Sequence, residues 1–344
     1  MSDFDYELPD ELIAQTPLQD RASSRMMVIN RTSGEVTHSG FSNLGSFLRR
    51  GDLLVLNDSR VIPARLKLHR KSGGRGELLL LQRAQAAGEW IALARPARKL
   101  KVGETVDVLP MDVRAAVASA RILEKMDNAT VRIQLSEEPD RDLAAFGSVP
   151  LPPYITTELH DPERYQTVYS QAIGSAAAPT AGLHFTNDML AALKEQGVGI
   201  AYVTLHVGLD TFRPVSEEVA EDHEIHSEWC STPAATVAAI QRCRDNGGRV
   251  IAVGTTSART LETLGVHGES GNLGAFSGAT SIFITPGYDW KVVDGLITNF
   301  HLPKSTLLLM VSSFAGRKLV LRAYSEAIEH RYRFFSFGDA TLIL

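Results

Sequence analysis

Short apolar runs recur along this chain, and their spacing changes character twice. Near the start, 26–30 (MMVIN) reads as a strand, with a turn at Ser33 and Gly34 and a second strand around Val36. Pro9 opens a short helix that Pro17 closes, and 43–50 is a short helix ended by Gly51. The run 53–57 (LLVLN) is uninterrupted and short, as a strand buried on both faces would be. From about 66 to 135 the pattern becomes short alternating segments cut by turn signals: LKLHR, ELLLLQR, WIALARP, TVDVLP, AVASARILE and TVRIQL. Short strands at such spacing predict a small all-β barrel or sandwich. A helical turn at 140–145 and the Pro-rich VPLPPYI lead out of it.

From Tyr154 strands and helices alternate. Helices are predicted over 186–196, 232–245, 257–264, 306–314 and 319–330, with Thr186 capping the first and Gly197 stopping it. Strands are predicted over 199–207, 249–253, 281–285 and 296–300. The expected architecture is therefore a multidomain α/β protein. A large α/β domain, 1–62 plus 150–344, is built on an open sheet or distorted barrel, and a small β-barrel domain, 63–149, is inserted into it.

A length of 344 residues allows about two such domains. Hydrophobic content of 44% and charged content of 22% are ordinary for a globular enzyme. No apolar run approaches the roughly 18 residues of a spanning helix; the longest candidate is 307–314. The acidic start, MSDFDYELPDELIA, has no basic-then-apolar export pattern. Two cysteines, Cys230 and Cys243, make neither a disulfide framework nor a four-thiolate metal site. A cytoplasmic protein is expected. Its net charge of −5 conceals an asymmetry: 60–101 holds eleven Lys or Arg against Glu77 and Glu89, leaving the rest of the chain at −14. So one-sided a block inside an acidic protein points to a phosphate-rich partner.

Familiar nucleotide and hydrolase signatures are missing. Gly197 and Gly199 precede a strand where a dinucleotide fingerprint follows one. The loop 174–185 (GSAAAPTAGLHF) stands out, because small residues let backbone approach a ligand and His184 sits at its end, beside a helix start. Polar residues gather at predicted strand ends: His206, then Thr255, Thr256 and Ser257, then Asn299 and His301. Ligands of α/β sheets bind beyond the carboxyl ends of strands, so these point at one place. The cluster 221–228 (EDHEIHSE) carries His223 and His226 three apart, where the zinc-hydrolase motif needs four. No metal is expected there; polar contacts or acid–base work suit it better. The apolar stripe 306–311 reads as core. The tail YRFFSFGD reads as core aromatics, with stacking on a base as the alternative.

Taken together, LPDELIAQTP with the following SR, GDLLVLNDSRVIPARL, LPPYI, RYQTVYS, AAPTAGLHF, TLHVG with TFRPV, EDHEIHSE, VIAVGTTSARTLE, ITNFHLPKSTLL and YRFFSFGDA resemble the S-adenosylmethionine:tRNA ribosyltransferase-isomerase family of queuosine biosynthesis. The resemblance runs from end to end. Leu209 and Asp210 depart from it, standing where the family has Ala-Gly. It implies that S-adenosylmethionine is consumed as a ribosyl donor, with no cofactor and no metal. The ribosyl group would be isomerised onto 7-aminomethyl-7-deazaguanine at the tRNA wobble position, giving epoxyqueuosine-tRNA, adenine and methionine. On this reading the acid–base set is His184, His206, His223, His226 and His301, with His184 and His206 first for the base. Thr180, Gly182, Thr255, Thr256, Ser257 and Asn299 would hold the donor, and Arg164, Tyr165 and Gln166 would line the mouth of the pocket. Arg60, Arg65, Lys67, Arg70, Arg95 and Arg98 of the insert would hold the tRNA anticodon arm. A monomer is expected, for want of an interface stripe.

Overall fold

A computed structural model of the chain describes residues 1–111, 117–208, 227–268 and 273–344. They divide into two compact units. One comprises Met1–Ser59, Pro153–Ala172 and Ala178–Leu344, and the other Arg60–Pro152 and Ile173–Ala177.

In chain order the strands begin with β1 (Arg25–Ile29), β2 (Val36–Gly40), β3 (Leu53–Asn57) and β4 (Ser59–Val61). The second unit follows with β5 (Arg65–His69), β6 (Arg75–Arg83), β7 (Glu89–Arg95), β8 (Thr105–Leu109), β9 (Ala118–Lys125), β10 (Thr130–Leu135), the short helices α1 (Glu137–Arg141) and α2 (Leu143–Phe146), and β11 (Gly147–Ser148). After β12 (Ala172–Ser175), which pairs with β4, come α3 (Asn187–Glu195), β13 (Gly199–Leu205), β14 (Glu228–Thr232), α4 (Ala234–Asp245), β15 (Val250–Val253) and α5 (Thr255–His267). The chain ends with β16 (Phe276–Thr280), β17 (Gly295–Asn299), α6 (Thr306–Ala315), α7 (Arg317–Glu329) and β18 (Ala340–Ile343).

Among the described residues the large unit carries a nine-stranded mixed sheet, in the order β16-β14-β13-β3-β15-β17-β18-β1-β2. Its centre, β13-β3-β15-β17, is parallel throughout. The run LLVLN is apolar at consecutive positions because both faces of β3 are covered. Leu53 and Val55 enter a core shared with Ile240 of α4, Leu261 of α5, Leu308 of α6 and Val320 of α7. Leu54 and Leu56 enter a second core, with Phe41, Phe185 and Leu190 of α3. Val250 and Ala252 of β15 join the first core, Ile251 and Val253 the second. The Thr186 hydroxyl accepts the Met189 N–H at 3.2 Å and starts α3.

The second unit closes as a barrel. Its strands run β5-β6-β7-β10-β9-β8, every neighbour antiparallel, and β5 pairs back onto β8 through Lys67 and Leu109. Alternation decides which residues fill it: Leu66, Leu68, Leu78, Leu80, Ala92, Val106, Ala120, Ile122, Val131 and Ile133 are buried.

Several local expectations change. The segment 281–285 is not a strand; β16 lies just before it, at the edge of the sheet. The apolar signal of SIFIT is nonetheless a burial signal, since Ile284 is buried and Ile282 packs against the same core from irregular backbone. The helix expected over 43–50 is a 3-10 helix over Phe41–Phe47. The helix expected from 232 starts at Ala234, because Glu228–Thr232 forms β14 and Pro233 separates the two. The C-terminal β18 has no counterpart among the expected strands; it slots between β17 and β1. No helix among the described residues is long and apolar enough to cross a membrane.

Candidate functional site

Four parallel strands deliver their carboxyl ends to one side of the large sheet. Beyond them lies a cleft of about 570 Å³. Its lining includes Thr180 and Ala181 from the small-residue loop, Val207 after β13, Gly254, Thr255 and Thr256 at the start of α5, and Thr298, Asn299, Phe300 and His301 at the end of β17. Gly254 turns the chain from β15 into α5 at φ 88°, a backbone region that side chains with a Cβ rarely adopt. Its N–H donates to the Ile297 carbonyl at 2.7 Å and ties β15 to β17 at the cleft floor. Tyr154, Phe335 and Ser336 close the far wall. The Phe335 carbonyl accepts the Asn299 Nδ2–H at 2.9 Å, and Phe335 takes a φ of 69°, a strained value for so bulky a residue.

His184 ends a 3-10 turn, Thr180–His184, and is buried against the Phe41 ring, with centroids 4.9 Å apart. Its Nδ1 meets Ser24 Oγ at 2.8 Å and its Nε2 meets Asn299 Nδ2 at 3.4 Å. The Phe335 carbonyl fixes Nδ2 as the donor end of the Asn299 amide. The imidazole then presents a lone pair at Nε2 and carries its proton on Nδ1, pointing to Ser24. Burial draws its pKa down to about 4, and the guanidinium charges of Arg333 and Arg21 add to the shift. Near neutral pH this is an uncharged imidazole with a weakly engaged basic nitrogen. Asn299 Oδ1 is buried and makes no hydrogen bond among the described residues. His184 and Arg164 also line a smaller cavity of about 300 Å³, together with Arg21, Ser24 and Ser336. Ser336 belongs to both cavities, and the Asn299–His184 contact runs from one to the other.

His301 is held more rigidly. Its Nε2 lies 2.8 Å from Thr298 Oγ1, its N–H donates to the Tyr324 hydroxyl at 3.1 Å, and its carbonyl accepts from the Tyr6 hydroxyl. Burial draws its pKa down to about 3. His206 is half-buried and stacks on the exposed Trp229, with centroids 5.2 Å apart and planes 20° apart. Its pKa is lowered by burial, against the upward pull of Asp58. His223 and His226, with Leu209 and Asp210, lie outside the described residues.

The other predicted residues divide. Thr256 Oγ1 accepts from Asn57 Nδ2 at 3.2 Å, so it also braces the β3 end. Ser257 is fully buried in α5 and is absent from both cavities. Gly182 has a packing role: a Cβ there would stand 2.0 Å from the Tyr169 hydroxyl. Arg164 donates to the carbonyls of Gln19 and Leu18. Tyr165 and Gln166 are buried, the former edge-on to Phe337. In the barrel unit, Lys67, Arg95 and Arg98 are exposed and Arg65 is half-buried; Arg60, half-buried too, lies on β4, which pairs with β12 outside the barrel. Lys67 faces Glu77, which faces Arg95, so one acid divides that row. Arg70 is committed to Glu104 through two contacts, at 2.8 and 3.2 Å.

Ser24, Arg21, Arg333, Tyr154 and Phe335 carry no role in the sequence reading. For Ser24, Tyr154, Arg333 and Phe335 the signal there is membership of the blocks SR, LPPYI and YRFFSFGDA, while Arg21 lies outside every block; the aromatics of the last, Phe334, Phe335 and Phe337, are buried.

Comparison with known proteins agrees across the whole chain. A family model described as queuosine biosynthesis protein matches residues 1–343. An S-adenosylmethionine:tRNA ribosyltransferase-isomerase of Caldanaerobacter subterraneus subsp. tengcongensis is 50% identical, over 100% of this chain and 99% of its own. The crystal structure of an S-adenosylmethionine tRNA ribosyltransferase from Thermotoga maritima is similar at 39% identity and a TM-score of 0.58, covering 99% of this chain and 100% of that one. The chain belongs to the S-adenosylmethionine:tRNA ribosyltransferase-isomerase family of queuosine biosynthesis proteins, and it is an enzyme, a transferase.

Proposed function

We propose that this enzyme transfers and isomerises the ribosyl group of S-adenosylmethionine onto the aminomethyl group of 7-aminomethyl-7-deazaguanine in tRNA, yielding epoxyqueuosine-tRNA, adenine and methionine. The observation that carries the reading is the uncharged, buried His184, whose basic nitrogen adjoins the polar strand ends of the large cleft.

The chemistry asks for such a group. A sulfonium acidifies the ribose carbon bonded to it, so a neutral base can remove a proton there. His184 Nε2 is the base in this reading. The imidazolium so formed is opposed by burial and by Arg21 and Arg333, so it readily gives its proton up. The departing adenine nitrogen is the matching acceptor. The tRNA amine attacks in its neutral form and loses a proton on bond formation, and the sulfonium leaves as the thioether of methionine. One proton is released overall. Thr255, Thr256, Asn299 and Thr180 would hold polar groups of the donor. The exposed barrel cations Lys67, Arg95 and Arg98 would position the anticodon arm through its phosphates, while the pocket reads the unstacked base.

The test is adenine release in single turnovers with tRNA carrying the 7-aminomethyl base. His184→Ala should slow it by about 100-fold or more, with S-adenosylmethionine binding changed only a few-fold. Adenine release at the wild-type rate would refute the assignment. Ser24→Ala should slow it less, since it removes only the partner that orients the ring.

A further inference from the structure

Away from the cleft, β2 and the end of α7 bring together three side chains that the proposed reaction does not use. Glu326 lies in the last turn of α7 and His330 is the capping residue just beyond its end, with its N–H donating to the Glu326 carbonyl at 3.0 Å. His38, on β2, lies against them. Its Nε2 is 2.9 Å from Glu326 Oε1, and its ring centroid is 4.4 Å from that of His330. One ligand atom from each residue falls within 4.8 Å of the others. His38 and His330 are exposed and Glu326 is half-buried, so an ion can reach them.

We propose that His38, Glu326 and His330 form a surface site for a divalent transition metal, best suited to zinc. Two imidazoles and a carboxylate are a zinc donor set, with the fourth position open to water. The His330 ring makes no hydrogen bond among the described residues, so its nitrogens are available. His38 already has the outer partner that metal-bound histidines characteristically possess. Its Nδ1 lies 2.8 Å from the Tyr332 hydroxyl, and the Arg25 guanidinium covers the Tyr332 ring at 4.2 Å. That hydroxyl can donate or accept. Without metal, His38 donates from Nε2 to Glu326 and accepts the Tyr332 proton at Nδ1. With metal, the proton moves to Nδ1, which donates to Tyr332, and Nε2 turns its lone pair on the ion. The ion would join β2 to α7 as a clip.

The test is zinc binding to the chelator-treated full chain, by calorimetry and by competition with a chromophoric chelator. The wild type should take up one zinc equivalent at this site. His38→Ala and His330→Ala should each weaken it at least tenfold, and Tyr332→Phe more modestly. Glu326→Gln serves as a second route to the same loss. A variant lacking both His223 and His226 should retain the site, and zinc should raise the melting temperature of that variant and of wild type but not of His38→Ala. Absence of uptake by wild type overturns the proposal. So does uptake that survives His38→Ala and His330→Ala, or is lost with His223 and His226.

Discussion

Acid should loosen the large unit through two histidines. His184 and His301 stay uncharged in the fold, with pKa values drawn from 6.5 down to about 4 and about 3, chiefly by burial. In the unfolded chain both titrate at the ordinary value. Between the folded and unfolded values the unfolded state therefore binds more protons. Stability rises with pH across that window and is lost as pH falls through it. Going from about pH 7 to about pH 4.5 should cost roughly 2.5 kcal/mol per histidine, because one pH unit inside the window is worth about 1.4 kcal/mol per group. The pair then removes roughly 5 kcal/mol, comparable with the whole stability of a small domain at about 5–15 kcal/mol. Asp58 acts the other way, since burial raises its pKa and protonation favours the fold. Asp52 is lowered: burial opposes its charge, but Arg249 and backbone N–H groups outweigh it. Its contribution is lost only as pH falls past the ordinary Asp value, below most of this window. The assay is urea unfolding at closely spaced pH values. Wild type should show a slope that flattens by about one proton in His184→Asn and again in His301→Asn. Slopes in both variants identical to wild type would refute the reasoning.

Three further outcomes follow from packing and charge. Gly182→Ala should destabilise by about 1–3 kcal/mol, because its Cβ meets Tyr169 Oη at 2.0 Å and Thr167 Cγ2 at 2.8 Å; an unchanged melting temperature would count against the geometry of that turn. Glu228→Gln should cost about 3–5 kcal/mol in urea unfolding, because it breaks the buried Arg259–Glu228 pair at 2.5 Å. Reversing Lys67 and Arg95 together should weaken tRNA binding and flatten its salt dependence by about one in slope for each phosphate no longer neutralised; unchanged binding would leave the barrel with another task.

Periodicity placed most of the elements because it reports burial over a few residues. Leu66 and Leu68 alternating with Arg65, Lys67 and His69 announce a barrel strand before any partner is known. Thr186 announces α3 because its hydroxyl reaches only three residues on. The same signal misplaced the strand at 281–285, where Ile282 and Ile284 are apolar for the core's sake without a ladder to join. It missed β18, whose four residues acquire meaning only from β17 and β1 on either side.

The sequence by itself determined that a small barrel interrupts an α/β chain, that histidines and hydroxyls collect at strand ends, and, through its motifs, the family. Only the tertiary structure decided which of those groups meet. Ser24 and Asn299 reach His184 across 160 and 115 positions, and His38 reaches Glu326 across 288. The physical reason is range. A strand or a cap is fixed by neighbours in the chain, whereas a proton-accepting site needs strand order, and strand order is set by burying both faces of one sheet at once.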